Sequence, residues 1–356
     1  MAENIVVYGA GAIGAQIGGR MHDARHPVTI VEPWAPQREI LQRSGVTIHS
    51  ETGEREDEHY RPKVIAPDEL VGLAEPIDVL FMSVKSYDTL DALHTVLPYL
   101  SGDGVVVSMQ NSINEEWIAP LIGNDRMVGG VILINAVLLE PGYVIATQSV
   151  SRASSAHRDL PGVFVGEYLA PAGNNARRVA ALLDSVWPAV PVNDLMHERW
   201  SKLVNNTMMN TVSGISGLRS AALLSDATAR TLLISIGAEA LQVAEAEGHP
   251  LGTLMGDYSA VEMYAGALGQ SDVVNLGLAE RSKLVSEGAR TSMLQDVLRA
   301  RKTETDFFAG LIADKGKAHG IATPFCEASN DMAHRVESRA VEPTPANIAE
   351  VLSTVG

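Results

Sequence analysis

The chain has 356 residues, 46% of them hydrophobic, and a formal net charge of −16 at pH 7. This length favours two domains, and the hydrophobic content excludes a disordered chain. The acidic balance repels nucleic acid and anionic membrane surfaces, so we expect neither as a partner, whereas a small anionic substrate stays open.

The sequence predicts a cytoplasmic protein without a metal centre. Its first apolar run, Ile5 to Tyr8, leads straight into glycines, which is typical of a strand and not of a signal peptide. No window approaches the 18 or so uninterrupted apolar residues that a transmembrane helix needs. The single cysteine, Cys326, is interpreted as a buried thiol, and the ten histidines show no metal-ligand spacing.

A dinucleotide-binding fingerprint opens the chain. A strand predicted over 4–8 is followed by Gly9-Ala-Gly11-Ala-Ile-Gly14 and by a helix from Ala12 to about His22. In this context Gly9 permits a tight turn, Gly11 lets the backbone approach a pyrophosphate, and Gly14 allows close packing of helix and strand. The helix N-terminus offers free N–H groups to phosphates. The predicted cofactor contacts here are Gly9, Gly11, Ala12, Ile13 and Gly14.

An acidic residue ends the next predicted strand. That strand covers 26–31, and Glu32 lies 18 residues after Gly14, close to the position that binds the ribose 2′-hydroxyl. A carboxylate there accepts hydrogen bonds from a free diol and repels a 2′-phosphate, so we predict NAD, with NADP as the alternative. The competing interpretation is a structural glycine turn followed by a surface acid.

Two apolar runs, 78–84 and 104–109, predict further buried parallel strands, and the run 127–139 predicts a later strand. Lys85 follows the first run, and Gln110-Asn111-Ser112 follows the second. Ligands of a doubly wound sheet bind beyond the carboxyl ends of its strands. A surface lysine and an amide-rich turn explain these residues equally well.

The pattern becomes helical from about Met196, so we predict a dinucleotide-binding domain over 1–195 and a helical substrate and dimerisation domain over 196–356. Lys202, Asn206 and Asn210 are spaced i, i+4 and i+8, which places them on one helix face. Asparagine is a mediocre helix former. The row indicates either a ligand contact or a solvated polar stripe.

Two residues further along have ordinary structural interpretations. Ser292 is followed three residues later by Gln295, a spacing that fits a capping box. Glu304 lies in a stretch crowded with charge, and its surroundings predict a surface position.

Taken together, the motifs resemble those of the ketopantoate reductase (2-dehydropantoate 2-reductase) family, from Gly9 to the segment at 320–324. They occur in order as G-A-G-A-I-G at 9–14, S-V-K at 83–85, Q-N at 110–111, W-S-K-L-V-N-N-x-x-x-N at 200–210, S-M-L-Q-D at 292–296 and T-E-x-D at 303–306. The resemblance implies an α/β fold class, with an N-terminal Rossmann-type parallel-sheet domain and a second, all-helical domain.

The resemblance also implies roles for individual residues. Lys202 would be the catalytic lysine that protonates the carbonyl oxygen as hydride reaches the carbon, and Glu304 would lie beside it and the cofactor ribose. Lys85 would contact the cofactor, and Asn111 would bridge cofactor and substrate. The implied substrate-binding residues are Asn111, Asn206, Asn210 and Ser292.

Three departures from the family pattern shape the expected function. Glu32 occupies a position that is basic or neutral in NADPH-preferring members, Ser112 replaces a usual glycine, and the stretch between Glu247 and Ser292 is longer than is typical. We therefore expect an NAD-linked enzyme for a 2-oxo acid, 2-hydroxy acid or secondary alcohol larger than ketopantoate, and a homodimer is compatible with the sequence. The alternatives are a genuine NADPH-dependent 2-dehydropantoate 2-reductase and a non-catalytic redox sensor, which the presence of Lys202 and Glu304 disfavours.

Overall fold

The chain divides into two units, residues 1–198 and 199–356. A computed structural model describes residues 3–51, 56–146, 161–254 and 258–355 of them.

Unit 1 alternates strands and helices in its first half and is richer in strands afterwards. Its described strands are β1 Ile5–Tyr8, β2 Val28–Val31, β3 Val46–Ser50, β4 Glu58–Tyr60, β5 Lys63–Ile65, β6 Ile77–Met82, β7 Leu100–Ser108, β8 Met127–Ile132, β9 Ala136–Glu140, β10 Tyr143–Ala146, β11 Val163–Glu167 and β12 Ala189–Pro191. Its described helices are α1 Ala12–Asp23, α2 Ala35–Ser44, α3 Thr89–Val96, α4 Glu115–Ile122 and α5 Asn174–Leu183.

The main sheet of unit 1 has the order β12-β11-β8-β7-β6-β1-β2-β5. Neighbouring strands are parallel except for the pair β8 and β11, so β11 and β12, which are parallel to each other, run opposite to the other six strands. A smaller sheet has the order β4-β3-β10-β9. The run predicted as one strand over 127–139 is therefore two strands in different sheets, β8 and β9.

Both faces of the main sheet are covered, which explains why its central strands are apolar without alternation. Successive residues of a strand point to opposite faces. Accordingly, Val7 and Phe81 belong to one buried cluster, whereas Val6 and Leu80 belong to another. Together the two cores hold the carboxyl ends of β1, β6 and β7 side by side.

The strand order reverses at β1, since the chain goes from β1 to β2 on one side and later places β6 on the other. In open α/β sheets the crevice at such a reversal receives the ligand. The glycine loop after β1 lies at this point.

The described residues of unit 2 are helical apart from a ladder of two-residue strands, β13 Thr253–Leu254 and β14 Tyr258–Ser259. Its helices are α6 Leu195–Ser216, which begins within unit 1, and α7 Ser220–Ser225, α8 Ala227–Ala246, α9 Ala260–Ala267, α10 Val273–Arg281, α11 Ser292–Leu298, α12 Ala309–His319, α13 Pro324–Glu337 and α14 Ala346–Val355. The predicted fold class, a Rossmann-type sheet domain followed by a helical domain, is confirmed.

Helix caps explain two boundaries of the longer stretch before Ser292. Ser259 and Glu262 form a capping box, so α9 begins at Ala260. The cap of α11 is Thr291, whose hydroxyl accepts a hydrogen bond from the Leu294 N–H. The capping box proposed for Ser292 is therefore wrong by one residue, and its hydroxyl is left for another contact.

No helix among the described residues is long and apolar enough to span a membrane. In the same part of the chain, no group of three or more His, Cys, Asp or Glu side chains is placed to hold a metal ion. Cys326 is buried and free, and burial raises the pKa of its thiol well above the ordinary value.

Candidate active site

The glycine loop after β1 has the geometry that a pyrophosphate needs. Gly9 has φ +95°, which places it in the region that favours glycine. A Cβ at Gly14 would lie 1.9 Å from the Gly9 carbonyl oxygen, whereas a Cβ at Gly11 would meet no atom within 4 Å. Gly14 therefore serves helix packing, and Gly11 faces open space at the start of α1.

Glu32, directly after β2, is tied to this loop. Its carboxylate accepts hydrogen bonds from the Ala10 N–H at 2.5 Å and from the Trp34 N–H at 2.6 Å. The side chain is only 5% exposed, and the loss of solvation raises its pKa despite these two hydrogen bonds. The prediction of a surface acid is excluded, because Glu32 is a buried carboxylate beside the phosphate loop.

The loops after β6 and β7 carry the other predicted cofactor residues. Lys85 immediately precedes a short 3₁₀ helix, Ser86–Asp88, and is partly buried, as is Asn111. Ser112 is 4% exposed and has φ +69°. Its backbone thus adopts the conformation that a glycine would adopt more readily.

The predicted polar row lies on α6. Lys202 and Asn206 are partly buried, and Asn210 is 5% exposed, so the solvated-stripe interpretation is wrong for Asn210. The Asn210 side-chain oxygen accepts hydrogen bonds from the Ser292 hydroxyl at 2.9 Å and from the Met293 N–H at 3.1 Å. The structure therefore joins two of the predicted substrate residues and fixes the Asn210 amide with its NH₂ group on the other side.

Glu304 is 3% exposed rather than a surface residue. Its neighbours in sequence are anchored to α13. The Thr303 N–H and hydroxyl both donate to Glu337 at 2.7 Å, and the Thr305 hydroxyl donates to Asn330 at 2.7 Å. Glu304 is held between these two anchors.

Lys202 has an unusual electrostatic environment. Its pKa is lowered from 10.5 to about 7. Burial is the largest cause and the charge of Arg199 adds to it, whereas Glu304 acts in the opposite direction. A lysine near this pKa is present in both protonation states at neutral pH, which suits a group that gives and takes a proton.

Comparison with known proteins decides the family. The profile described as "Ketopantoate reductase PanE/ApbA" matches residues 5–154, and the profile described as "Ketopantoate reductase PanE/ApbA C terminal" matches residues 194–337. The chain belongs to the ketopantoate reductase family. It is therefore an NAD(P)-dependent oxidoreductase that acts on a hydroxyl or keto group.

Among family members, the 2-dehydropantoate 2-reductase of Pyrococcus horikoshii is 26% identical over 324 residues, covering 90% of this chain and 93% of that protein. The structure of D-mandelate dehydrogenase with NADH and anilino(oxo)acetate has a TM-score of 0.76 at 21% identity, covering 94% of this chain and 98% of that one. A dimeric ketopantoate reductase from Staphylococcus aureus has a TM-score of 0.67 at 16% identity, covering 95% and 99%.

The residues of unit 1 fit the nicotinamide dinucleotide that the family uses. A larger residue in place of Gly11 would put its side chain into the open space there. This space lies beside the N–H groups at the start of α1, which can bind a phosphate. Sequence reasoning missed Arg199, which is 1% exposed. A signal existed, because Arg199 lies three residues before Lys202 and hence on the same side of α6.

Proposed function

We propose that this ketopantoate reductase family member transfers hydride between NAD(H) and a 2-oxo or 2-hydroxy acid, or a related secondary alcohol, larger than ketopantoate. The observation that carries the proposal is Lys202, a partly buried lysine with a pKa of about 7 on the same helix face as Asn206 and Asn210. A cation poised in this way polarises a carbonyl and supplies its proton.

The bound nicotinamide supplies or accepts the hydride. In reduction, the Lys202 ammonium donates a hydrogen bond to the substrate carbonyl oxygen and gives up the proton as the alkoxide forms. In oxidation, neutral Lys202 removes the hydroxyl proton. The NH₂ groups of Asn206 and Asn210 donate to the substrate carboxylate. The Ser292 hydroxyl donates its proton to Asn210, and its oxygen accepts from a hydroxyl of the substrate. Glu304 stabilises the protonated lysine. Lys85 and Asn111 contact the cofactor, with Asn111 also reaching the substrate.

The preference for NAD rests on Glu32. Its carboxylate already accepts two backbone N–H groups, and a carboxylate oxygen has lone pairs left for a ribose hydroxyl. A 2′-phosphate would bring a second anion against a buried charge, which is unfavourable. Arg38, the cation closest to Glu32 in the sequence on its C-terminal side, donates to the carbonyl oxygens of Glu32 and Pro33.

The proposed substrate size rests on the long stretch between Glu247 and Ser292, which contains α9 and α10. These helices precede the substrate residue Ser292 in the chain. The D-mandelate dehydrogenase neighbour is named for a 2-hydroxy acid with an aromatic ring, which supports a bulkier side chain on the substrate.

A substrate panel tests the proposal. Purified protein is assayed with NADH and with NADPH against ketopantoate and a series of 2-oxo acids with larger aliphatic and aromatic groups, with Lys202→Met as the inactive control. The expected result is a higher kcat/KM with NADH and a bulky 2-oxo acid. Glu32→Arg should shift the cofactor preference toward NADPH, whereas Glu39→Arg, an exposed position on α2, should leave it unchanged.

The alternative is a genuine 2-dehydropantoate 2-reductase. The name of the Pyrococcus horikoshii relative favours it. A kcat/KM for ketopantoate with NADPH far above every other pair would establish this alternative and contradict the proposed roles of Glu32 and of the stretch between Glu247 and Ser292.

We also propose a homodimer formed through unit 2. The helices α9 and α10 and the following turn expose large apolar side chains, and the Staphylococcus aureus neighbour is described as dimeric. Exposed fractions run from 52% to 87% for Val261, Leu268, Val273, Leu276 and Leu284. Patches of this kind mark protein interfaces. Light scattering should give twice the monomer mass for the wild type and a smaller mass for Leu276→Glu; a monomeric wild type would refute the dimer.

A further inference from the structure

Four buried side chains connect the loops that follow β6 and β7. The Gln110 amide donates to the Thr89 hydroxyl at 2.7 Å, and that hydroxyl donates to the Asn114 side-chain oxygen at 3.1 Å. The Asn114 amide donates to the Ser86 hydroxyl at 3.3 Å. We call Gln110, Thr89, Asn114 and Ser86 the polar chain. All four are less than 5% exposed.

The polar chain has one consistent direction of donation. Asn114 accepts from Thr89 and donates to both Ser86 and the Asn111 carbonyl oxygen, the latter at 2.5 Å. A flipped Asn114 amide would place its oxygen against the Asn111 carbonyl oxygen, so two acceptors would repel each other. The geometry therefore permits a single orientation of the Asn114 amide, in which its oxygen and its nitrogen both form hydrogen bonds.

The two ends of the polar chain reach the backbone of the candidate site. At one end, the Gln110 amide donates to the Val84 carbonyl oxygen at 3.0 Å, next to Lys85. At the other end, the Ser86 hydroxyl donates to the Asn111 carbonyl oxygen at 3.3 Å. Val84 also lies against the glycine loop, since a Cβ on Gly9 would be 2.8 Å from its Cγ1.

The polar chain lies at the edge of the sheet where the nicotinamide end of a dinucleotide would bind. The carboxyl ends of β1, β6 and β7 are neighbours in the sheet. A dinucleotide whose pyrophosphate sits on the glycine loop extends along that edge over the next strands. The loop after β7 carries Asn111, and its backbone includes the left-handed Ser112, a conformation that costs free energy in a non-glycine residue and needs support.

We infer that Thr89 and Asn114 are positioning residues, which act through hydrogen bonds to hold Asn111 and the Lys85 loop in the conformation that receives the cofactor. This inference rests on the proposed role of Asn111 in cofactor binding. Neither residue needs to touch cofactor or substrate, and Thr89 occupies the first position of α3, where it is 1% exposed.

The test uses the dissociation constant of the cofactor, which is measured without turnover by calorimetry with NADH or NADPH, whichever binds the wild type more tightly. Thr89→Val keeps the shape and removes the hydroxyl that joins Gln110 to Asn114. It should weaken binding about tenfold, the effect of losing one or two buried hydrogen bonds. Thr89→Ser should restore it, and Thr231→Val, which removes an exposed helix hydroxyl in unit 2, should have no effect.

A double-mutant cycle separates positioning through Asn111 from general loss of structure. If the polar chain acts through Asn111, Thr89→Val should weaken binding much less in an Asn111→Ala background than in the wild type. Equal weakening in both backgrounds, or wild-type affinity of Thr89→Val, would overturn the inference. Should Thr89→Val not fold, Ser86→Ala, which removes one link, is put through the same cycle.

These outcomes differ from a failure of the proposed function. A wild type that binds cofactor yet reduces no 2-oxo acid would refute the proposed substrate class, while the cycle on cofactor affinity would still decide the role of the polar chain.

Discussion

Two charged neighbours of Lys202 should move its pKa in opposite directions. Glu304 stabilises the ammonium form and Arg199 destabilises it. We therefore expect Glu304→Gln to lower the pKa of Lys202 below about 7 and Arg199→Met to raise it. Both residues are almost fully buried, at 3% and 1% exposure, so neither charge is strongly screened by solvent.

The size of the effect follows from the protonation equilibrium. A lysine with an ordinary pKa would be neutral in only about one molecule in three thousand at pH 7, whereas Lys202 is neutral in about half. Removing one nearby charge changes a pKa by about 1 unit or more, which corresponds to about 1.4 kcal/mol. The two variants should thus differ from each other by about 2 units.

The assay is the pH dependence of kcat in both directions with saturating cofactor and substrate. Reduction requires protonated Lys202, so its rate should fall above about pH 7 in the wild type. Oxidation requires neutral Lys202, so its rate should rise through the same pH. These two transitions are the limbs of the pH–rate profiles. Glu304→Gln should move both limbs to lower pH, and Arg199→Met should move both limbs to higher pH.

Certain results would refute this account of Lys202. If both variants moved the limbs in the same direction, the shift would reflect a structural change and not charge. If the limbs stayed in place in Lys202→Arg while only the rate fell, the titrating group would be another residue. Glu350→Gln serves as the control, because Glu350 is an exposed acid that pairs with Arg335 at 2.6 Å, and it should not shift the limbs.

Three further predictions concern the glycine loop, Lys202 and Glu32. Gly14→Ala should prevent folding of unit 1, since its Cβ would meet the Gly9 carbonyl oxygen at 1.9 Å, whereas Gly11→Ala should keep its melting temperature and lose cofactor affinity. Lys202→Met should abolish activity and raise the free energy of unfolding by about 1–3 kcal/mol below pH 7, measured by urea denaturation. This gain in stability should shrink as the pH rises toward 10.5, because the pKa of Lys202 is lower in the folded state than in the unfolded state. The raised pKa of Glu32 predicts that NADH affinity weakens on mild acidification, and calorimetry should find no such pH dependence in Glu32→Gln.

The sequence was most informative where local pattern and tertiary structure agree. The strand, glycine and helix signals placed β1 and α1 to within one residue, because buried parallel strands need continuous apolar runs and the glycine turn has few substitutes. Helical spacing correctly placed Lys202, Asn206 and Asn210 on α6. The signals were weaker for β8 and β9, since one apolar run contributes to two sheets and the break over 133–135 contains a single turn-forming residue, Asn135.

Burial was the property that sequence reasoning could not supply. Glu304 and Glu32 both had plausible interpretations as surface acids, because a charged side chain in a charged or loop-like stretch is normally solvated. The anchors that bury Glu304 come from Glu337 and Asn330 on α13, and such distant partners leave no local pattern. The polar chain was missed for the same reason, since Thr89 and Asn114 are separated by 25 residues.

The position of Lys202 is electrostatically unfavourable. A partly buried Lys202 beside a buried Arg199 is costly to a fold, because burial and like charge both oppose the ammonium form. Replacement by an apolar side chain would relieve that cost, which is why we expect Lys202→Met to be more stable and inactive. Glu239 provides a contrast, because it is also a buried charged side chain. Its carboxylate accepts hydrogen bonds from the Phe325 and Cys326 N–H groups at the start of α13 and so stabilises a helix end. Lys202 lies inside α6 and not at a helix end, and this difference is the physical reason to propose it as the catalytic group.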